Sequence, residues 1–177
     1  MRSRLPILCS ILAGLFLAVP PANAAGTKPA RADIMNSQGA KVGSARITAA
    51  GDGVKVSVKV SNLSPGDHGI HIHNVGKCEG PDFKTAGPHF NPTGAHHGIH
   101  NTQDPKPHLG DLANLTISAG GTGSATFTVS GITLGDGPNS LFHDGGTSIV
   151  IHAKADDLMS DPSGNSGDRI ACGVIER

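Results

Sequence analysis

The chain has 177 residues, with 14 basic and 14 acidic side chains, ten histidines, and neither tryptophan nor tyrosine. It contains no basic run interleaved with aromatic residues, so nothing in the composition favours a nucleic-acid-binding protein. The length suits one domain with a core of its own and does not comfortably hold two.

The first 24 residues have the pattern of a secretory signal. Arg2 and Arg4 precede an apolar run from residue 5 to residue 19, and Ala22-Asn23-Ala24 supplies an A-x-A cleavage site. The run is short and wrongly flanked for a membrane-spanning helix, and an uncleaved anchor is the alternative to a removed leader. We therefore predict a leader at 1–24 that is removed and a single domain at 25–177. The mature chain is expected to be periplasmic or secreted, without attachment to the membrane.

The predicted mature chain consists of short strands between glycine-bearing turns. The predicted strands cover residues 32–36, 41–49, 54–62, 69–74, 112–118, 123–130, 148–153 and 169–175. Eight strands with no convincing helical period predict an all-β domain, either an antiparallel sandwich or a closed barrel. Two irregular segments, 74–110 and 154–168, far exceed the usual loop length, which indicates functional loops.

Histidines are concentrated in one glycine- and proline-rich segment. Eight of the ten lie between residues 68 and 111, a density that favours metal ligation. His71 and His73 are two residues apart, so both imidazoles lie on one face of a strand. Four more potential ligands follow: His89, His97, His108 and Asp111. Three imidazoles and one carboxylate form a closed tetrahedral set, as expected for a structural zinc ion.

Five motifs carry a resemblance to a known family. They are Gly69-Ile-His71-Ile-His73, Gly87-Pro-His-Phe-Asn-Pro92, His108-Leu-Gly-Asp-Leu112, the segment 149–157 around His152, and the closing segment 164–175. Together they resemble the copper/zinc superoxide dismutase family, over nearly all of the mature chain. The resemblance implies an eight-stranded antiparallel Greek-key β-barrel or sandwich with immunoglobulin-like architecture.

The resemblance also implies two metal sites that share one residue. A catalytic copper ion is expected on the residues we call the copper set: His71, His73, His89 and His152. A structural zinc ion is expected on the residues we call the zinc set: His89, His97, His108 and Asp111. Four imidazoles suit Cu(II) in tetragonal geometry. His89 belongs to both sets, and one imidazole can bind two divalent cations by losing its second proton.

Further residues have roles implied by the family. Asp156 is expected to accept hydrogen bonds from the outer nitrogens of His71 and His97, which would orient both rings. Arg169 is expected beside the copper, where its permanent charge attracts the anionic substrate. Cys78 and Cys172 are the cysteines that remain after leader removal. Export favours their oxidation and both match the family's bridge, so we predict a disulfide.

The implied activity is disproportionation of superoxide to dioxygen and hydrogen peroxide, by a monomer or a homodimer. Copper would alternate between Cu(II) and Cu(I), with Arg169 and His89 as catalytic residues. His89 would release copper and take up a proton during reduction, while zinc holds its ring. The chain lacks the acid-and-lysine cluster with which the best-known eukaryotic members steer substrate, and we expect Lys77 or Lys84 partly to replace it.

Other interpretations share some of these residues. An exported copper/zinc storage protein would keep every ligand, but it would need neither Arg169 nor Asp156. A zinc hydrolase would need an open zinc position, which Asp111 closes. A purely structural role leaves the spacing of the shared ligand unexplained. The remaining histidines are expected to have other roles: His68 as a structural hydrogen-bonding residue, and His96, His100 and His143 outside the ligand sets.

Overall fold

The chain folds as an all-β domain in a computed structural model that describes residues 28–103 and 107–177. The strands in these ranges are β1 (Ala30–Asn36), β2 (Lys41–Ala50), β3 (Gly53–Val60), β4 (Gly66–His68), β5 (Ile70–His73), β6 (Leu115–Ile117), β7 (Gly123–Ser130), β8 (Ser148–His152) and β9 (Arg169–Val174). The leader predicted at 1–24 lies outside the described residues. Among those described, no helix is long and apolar enough to cross a membrane.

Seven strands form one curled antiparallel sheet in the order β5-β8-β9-β1-β2-β3-β7, and β4 pairs with β6 in a second, two-stranded sheet. Side chains alternate between the two faces of β3: Val54, Val56 and Val58 are buried, while Lys55 and Lys59 are exposed. These valines join isoleucines and leucines from the other strands in one core. The predicted all-β antiparallel fold is confirmed.

The strand that carries the first two histidines differs from its prediction. We expected one strand over 69–74; β5 lies within that range, but a short strand that was not predicted, β4, precedes it, and the two separate at Gly69. β4 pairs with β6, whereas β5 pairs with β8. The chain changes partner at Gly69, whose N–H donates to the Lys154 carbonyl at 2.8 Å and whose carbonyl accepts from the His152 N–H at 2.8 Å.

The long segment between β5 and β6 folds back along β5. The Asn74 N–H donates to the Pro88 carbonyl at 2.8 Å, and the Ile72 N–H donates to the Gly110 carbonyl at 2.9 Å. A Cβ atom at Gly110 would overlap the Ile72 carbonyl, so this close approach requires glycine. The segment is therefore ordered along its contact with the sheet, and it delivers ligands from the loop to the face that bears His71 and His73. Its 3-10 helix, Lys84–Ala86, is too short to have left a periodic signal in the sequence.

The predicted disulfide between Cys78 and Cys172 is confirmed, with Cα atoms 5.6 Å apart and 94 residues of sequence separation. It ties the loop after β5 to β9. Beside it, Phe83 and Ala86 pack with Val150 in a small buried cluster of their own. The bond and the cluster together fix the loop against the sheet.

The disulfide should account for a large share of the stability. Replacing both cysteines, Cys78→Ser with Cys172→Ser, is expected to lower the free energy of unfolding by about 4–5 kcal/mol, because the unfolded chain regains the entropy of a long closed loop. Urea unfolding of the oxidised protein and of the double variant measures the difference. Reductant should destabilise only the parent protein. A difference below about 1 kcal/mol would contradict a structural role for the bond.

Candidate metal centre

The four histidines of the copper set meet beside the antiparallel pair of β5 and β8. β5 contributes His71 and His73, β8 ends on His152, and the loop after β5 contributes His89. One nitrogen from each ring lies within 4.8 Å of the others. All four residues are buried. The structure therefore brings together every residue assigned to this set from the sequence.

The nitrogens that face one another have no other partner among the described residues. They are His71 Nδ1, His73 Nε2, His89 Nε2 and His152 Nε2. A buried polar atom without a hydrogen bond costs free energy, and four of them at one point are rarely tolerated unless something binds there. This convergence of unpaired imidazole nitrogens fits a metal ion, and the donor set suits copper.

Hydrogen bonds at the opposite ring nitrogens fix the orientation of these imidazoles. His73 Nδ1 lies 2.8 Å from the Gly87 carbonyl, and His152 Nδ1 lies 3.2 Å from the Gly167 carbonyl. A carbonyl only accepts, so each Nδ1 must carry the hydrogen. The lone pair of a neutral ring is then on Nε2, the atom that faces the centre of the set.

The protonation state of the rings also suits metal binding. Burial lowers the pKa of His71 and lowers the pKa of His73 well below its ordinary value. Burial likewise lowers the pKa of His89 to about 4 and that of His152 to about 3. These imidazoles are therefore neutral near pH 7, with lone pairs available to a cation.

The zinc set is arranged around a single carboxylate oxygen. Asp111 Oδ1 lies 2.8 Å from His89 Nδ1, 3.0 Å from His97 Nδ1 and 3.3 Å from His108 Nδ1. The other oxygen, Oδ2, accepts the Gly98 N–H at 2.8 Å. Two of these nitrogens, on His89 and His97, are hydrogen-bond partners of Oδ1, whereas His108 Nδ1 has no hydrogen-bond partner among the described residues. Ligand atoms around a tetrahedral zinc ion lie about 3.3 Å apart, so the spacing fits one shared cation.

His89 faces both sets with opposite sides of one ring. Its Nδ1 points to Asp111, while its Nε2 is unpaired among the nitrogens of the copper set. Its ring centroid lies 4.0 Å from that of His71 on one side and 5.1 Å from that of His97 on the other. The ring is therefore positioned to bind two cations at once.

Asp156 contacts one ring of each set at the nitrogen that does not face the set. Its Oδ2 lies 2.7 Å from His71 Nε2, and its Oδ1 lies 3.0 Å from His97 Nε2. Burial alone would raise the pKa of this carboxyl, but the hydrogen bonds from His71 and His97 hold it well below its ordinary value. Burial would likewise lower the pKa of His97, yet its bonds to Asp111 and Asp156 raise that pKa to about 9. A permanent carboxylate thus holds one ring of each set.

Two residues that position Asp156 were not predicted as site residues. The Asn114 side chain donates to the Asp156 carbonyl and accepts the Asp156 N–H, both at 2.8 Å. A Cβ atom at Gly164 would overlap the Asp156 carboxylate, so this position requires glycine. Gly164 lies within a quoted motif, but its contact is made only by tertiary folding. Asn114 has no local signal that distinguishes it from a surface amide.

Arg169 is half-buried beside the copper set. Its Nη1 donates to the Phe83 carbonyl at 2.8 Å, and its Nη2 donates to the Gly87 carbonyl at 2.7 Å. The same Gly87 carbonyl accepts from His73 Nδ1, so guanidinium and ligand share an acceptor. Three of the five N–H donors of Arg169 are not used in these bonds.

The remaining histidines lie outside both sets. His68 Nδ1 donates to the carbonyl of His152 at 2.7 Å, which confirms its predicted structural role. His96 Nδ1 lies 2.6 Å from Asp161 Oδ2, and His143 stacks on Phe90 with ring centroids 5.5 Å apart. His100 is exposed. None of them joins either set in the described part of the chain.

Comparison with known proteins identifies the same family throughout. The family model described as copper/zinc superoxide dismutase (SODC) matches residues 41–175. Superoxide dismutase [Cu-Zn] 1 of Aquifex aeolicus is 44% identical over 147 residues, which is 82% of this chain and 86% of the relative. Superoxide dismutase [Cu-Zn] of Deinococcus radiodurans is 38% identical over 161 residues, 85% of this chain and 86% of the relative.

Solved structures agree with these relatives. A superoxide dismutase-like protein from Bacillus subtilis superposes with a TM-score of 0.77 at 35% identity, covering 81% of this chain and 96% of that protein. The Cu/Zn superoxide dismutase from Brucella abortus superposes with a TM-score of 0.65 at 28% identity, covering 84% of this chain and all of that protein.

The bridge made by Asp156 generates a prediction about metal affinity. In Asp156→Asn the amide can accept from one imidazole but presents N–H groups to the other, so one ring loses its support. Metal affinity is expected to fall about 10–100-fold. Competition titration against a chelator of known affinity measures the change. Asp157→Asn, an exposed neighbour that contacts neither set, is the matched control, and equal affinities for the two variants would contradict the role of the bridge.

Proposed function

The chain belongs to the copper/zinc superoxide dismutase family, and from that premise we propose which of its residues carry the reaction. The protein is an enzyme that disproportionates superoxide to dioxygen and hydrogen peroxide, with copper and zinc as cofactors. The alternative of a storage protein without turnover is not favoured by these relatives. The assignment of single residues is our proposal, and its main support is the pair of opposed nitrogens on His89.

We assign copper to the copper set and zinc to the zinc set. Copper held by these residues would supply the one-electron redox chemistry of both halves of the reaction. The protein's contribution is to hold neutral imidazoles in fixed orientation. His73 and His152 are oriented by backbone carbonyls and His71 by Asp156. Such preorganised ligands need not rearrange when the metal binds.

His89 is assigned a second task, the handling of a proton. With zinc on Nδ1 the ring would have no N–H of its own, so Nε2, when not bound to copper, would accept a proton and pass it to the reduced substrate, which takes its second proton from water. Its Nδ1 faces Asp111 throughout, so the ring keeps its position. In this proposal Nδ1 would bind zinc, and Nε2 would bind either copper or a proton, so one residue would serve both metals.

Arg169 is assigned the attraction and orientation of the substrate anion. Its guanidinium is charged at any physiological pH, and two of its N–H groups are anchored to backbone carbonyls. The unused donors can then meet an anion without the arginine having to be ordered first. A fixed cation at a metal site also raises the rate of encounter with an anionic substrate.

We also propose that the protein is exported to the periplasm or secreted. The leader pattern at 1–24 supports this, and so does the disulfide, because such bonds persist in oxidising compartments. The enzyme is proposed to act as a monomer or a homodimer. Both metal sets are built within one chain, so a partner subunit would not be needed to complete them.

The shared role of His89 can be tested by metal content. His89→Gln is expected to lose affinity for both metals, because each set loses a ligand. His152→Gln should lose copper and keep zinc, and His108→Gln should do the reverse. Elemental analysis after dialysis against a chelator measures each metal. A His89 variant that loses one metal and binds the other normally would contradict the assignment.

The role of Arg169 predicts a kinetic change without a change in metal content. In the copper- and zinc-loaded protein, Arg169→Gln should lower kcat/KM for superoxide about 10-fold, and Arg169→Lys should lose less because it keeps the charge. Stopped-flow decay of superoxide measures both. Arg46→Gln, an exposed arginine on β2, is the control. Equal losses for the Gln and Lys variants would show that charge is not the cause.

Leader removal is tested on protein isolated from the exporting cell. The mature chain is expected to begin at Ala25, because cleavage follows the A-x-A site. Intact mass and N-terminal sequencing measure the product, and Ala24→Arg should block processing. A mature protein that retains residues 1–24 would contradict the predicted domain boundary.

A further inference from the structure

An open cleft of about 510 Å³ lies between the 3-10 helix region and the start of β9. Its lining residues are Pro81, Asp82, Lys84, Gly167, Asp168 and Arg169. Four of these six residues have ionisable side chains, and two of the four are carboxylates. A carboxylate at this place is unexpected if the cleft serves only to attract an anion.

The cleft lies one residue away from two rings of the copper set, on the side of their Nδ1 atoms. On one wall, Arg169 Nη2 donates to the Gly87 carbonyl, which also accepts from His73 Nδ1. On the other wall, the Gly167 carbonyl accepts from His152 Nδ1. An anion that binds Arg169 from the cleft is therefore separated from the copper set by single residues, and the charges of the cleft act on any anion that enters.

Lys84 does not act as a free cation in this cleft. Its Nζ lies 2.9 Å from Asp82 Oδ2, and its backbone N–H donates to Asp82 Oδ1 at 3.2 Å. Both side chains are exposed, so the pair is worth little to stability, but it holds the carboxylate in place at the mouth. The positive charge that we expected from Lys84 is thus offset by its own neighbour.

Asp82 also acts on Arg169. Burial lowers the pKa of the Arg169 guanidinium, and the nearby Asp82 carboxylate opposes that effect. One more charge borders the cleft, that of Asp168, which lines it. Asp168 forms no ion pair with Arg169 in the described structure. Asp82 is therefore one carboxylate of the cleft whose field reaches the arginine.

The consequence of that field depends on the charge of the anion. A guanidinium with unused donors also suits sulfate- or phosphate-like dianions, which it can bind through two parallel bonds. Coulomb repulsion scales with the product of the charges, so one carboxylate opposes a dianion twice as strongly as a monoanion. A carboxylate here lowers the affinity for every anion, but it lowers the affinity for divalent ones more.

We propose that Asp82, held by Lys84 at the mouth of the cleft, sets the anion selectivity at Arg169 by lowering the affinity for divalent anions more than the affinity for monovalent ones. The proposal rests on the proposed function, in which the substrate is a monoanion that reaches the metal past Arg169. Asp82 acts through the field at Arg169 and is a positioning residue for the anion, not a catalytic one. Its carboxylate lowers the affinity for superoxide and lowers the affinity for dianionic competitors more.

The test compares two probes, nitrate and sulfate, in Asp82→Asn. Loss of one carboxylate should raise nitrate affinity about two- to threefold and sulfate affinity about four- to ninefold at low ionic strength, because the logarithm of the effect doubles with the charge. Binding is read from the Arg169 side-chain Nε–Hε resonance of the copper-reduced, zinc-loaded protein, at constant ionic strength. This readout does not depend on turnover.

Asp33→Asn is the matched control. Asp33 is also an exposed carboxylate paired with a lysine, with Lys41 Nζ at 2.7 Å, but it lies on β1 and not in the cleft. The control should leave both affinities unchanged, whereas Lys84→Gln should weaken both anions and sulfate more. At high salt the effect of Asp82→Asn should disappear.

The outcomes separate the two proposals. If Asp82→Asn and Asp33→Asn shift the sulfate and nitrate affinities alike, or if the two anions gain equally in Asp82→Asn, the selectivity proposal is wrong. If the anion affinities behave as expected but the unmodified, fully loaded protein does not consume superoxide, the proposed function fails and the selectivity of the cleft remains.

Discussion

The orientation of one imidazole, that of His89, is the constraint on which the rest of the structure depends. Its Nδ1 belongs to the group around Asp111, and its Nε2 faces the unpaired nitrogens of His71, His73 and His152. A rotation of the ring would remove a ligand from both groups at once. Most of the contacts around the site can be understood as ways of preventing that rotation.

The fold restrains the site, and with it the His89 ring, by two sets of hydrogen bonds and by the disulfide. The loop after β5 is bonded to β5 on both sides of His89, since Asn74 bonds to Pro88 and Phe90 bonds to Ile72. Asp156 holds rings of both sets from the segment after β8, and Asn114 fixes the backbone of Asp156 in turn. The disulfide closes the same loop against β9. A curled sheet with long, covalently anchored loops is therefore a rigid support for ligands that are far apart in sequence.

The sequence predicted much of this because metal ligands and alternating strands leave strong local signals. The strand over 123–130 was predicted with its observed ends, and the ligand sets assigned from the sequence, together with Asp156, include each residue that the structure groups together. The break at Gly69 was missed, because a change of strand partner is decided by which backbone groups lie nearby in the fold. For the same reason Asn114 could not be distinguished from a surface amide. The pairing of Lys84 with Asp82, two residues before it, was also missed. Closeness in sequence does not by itself show that two exposed side chains contact each other.

The central claim is tested most directly by anomalous diffraction from crystals of the doubly loaded protein, with data at the copper and zinc absorption edges. The account predicts one copper peak among His71, His73, His89 and His152, one zinc peak beside Asp111, and the His89 ring between the two peaks. A single peak, or a His89 ring bonded to one metal with its other nitrogen directed to a protein group, would contradict it.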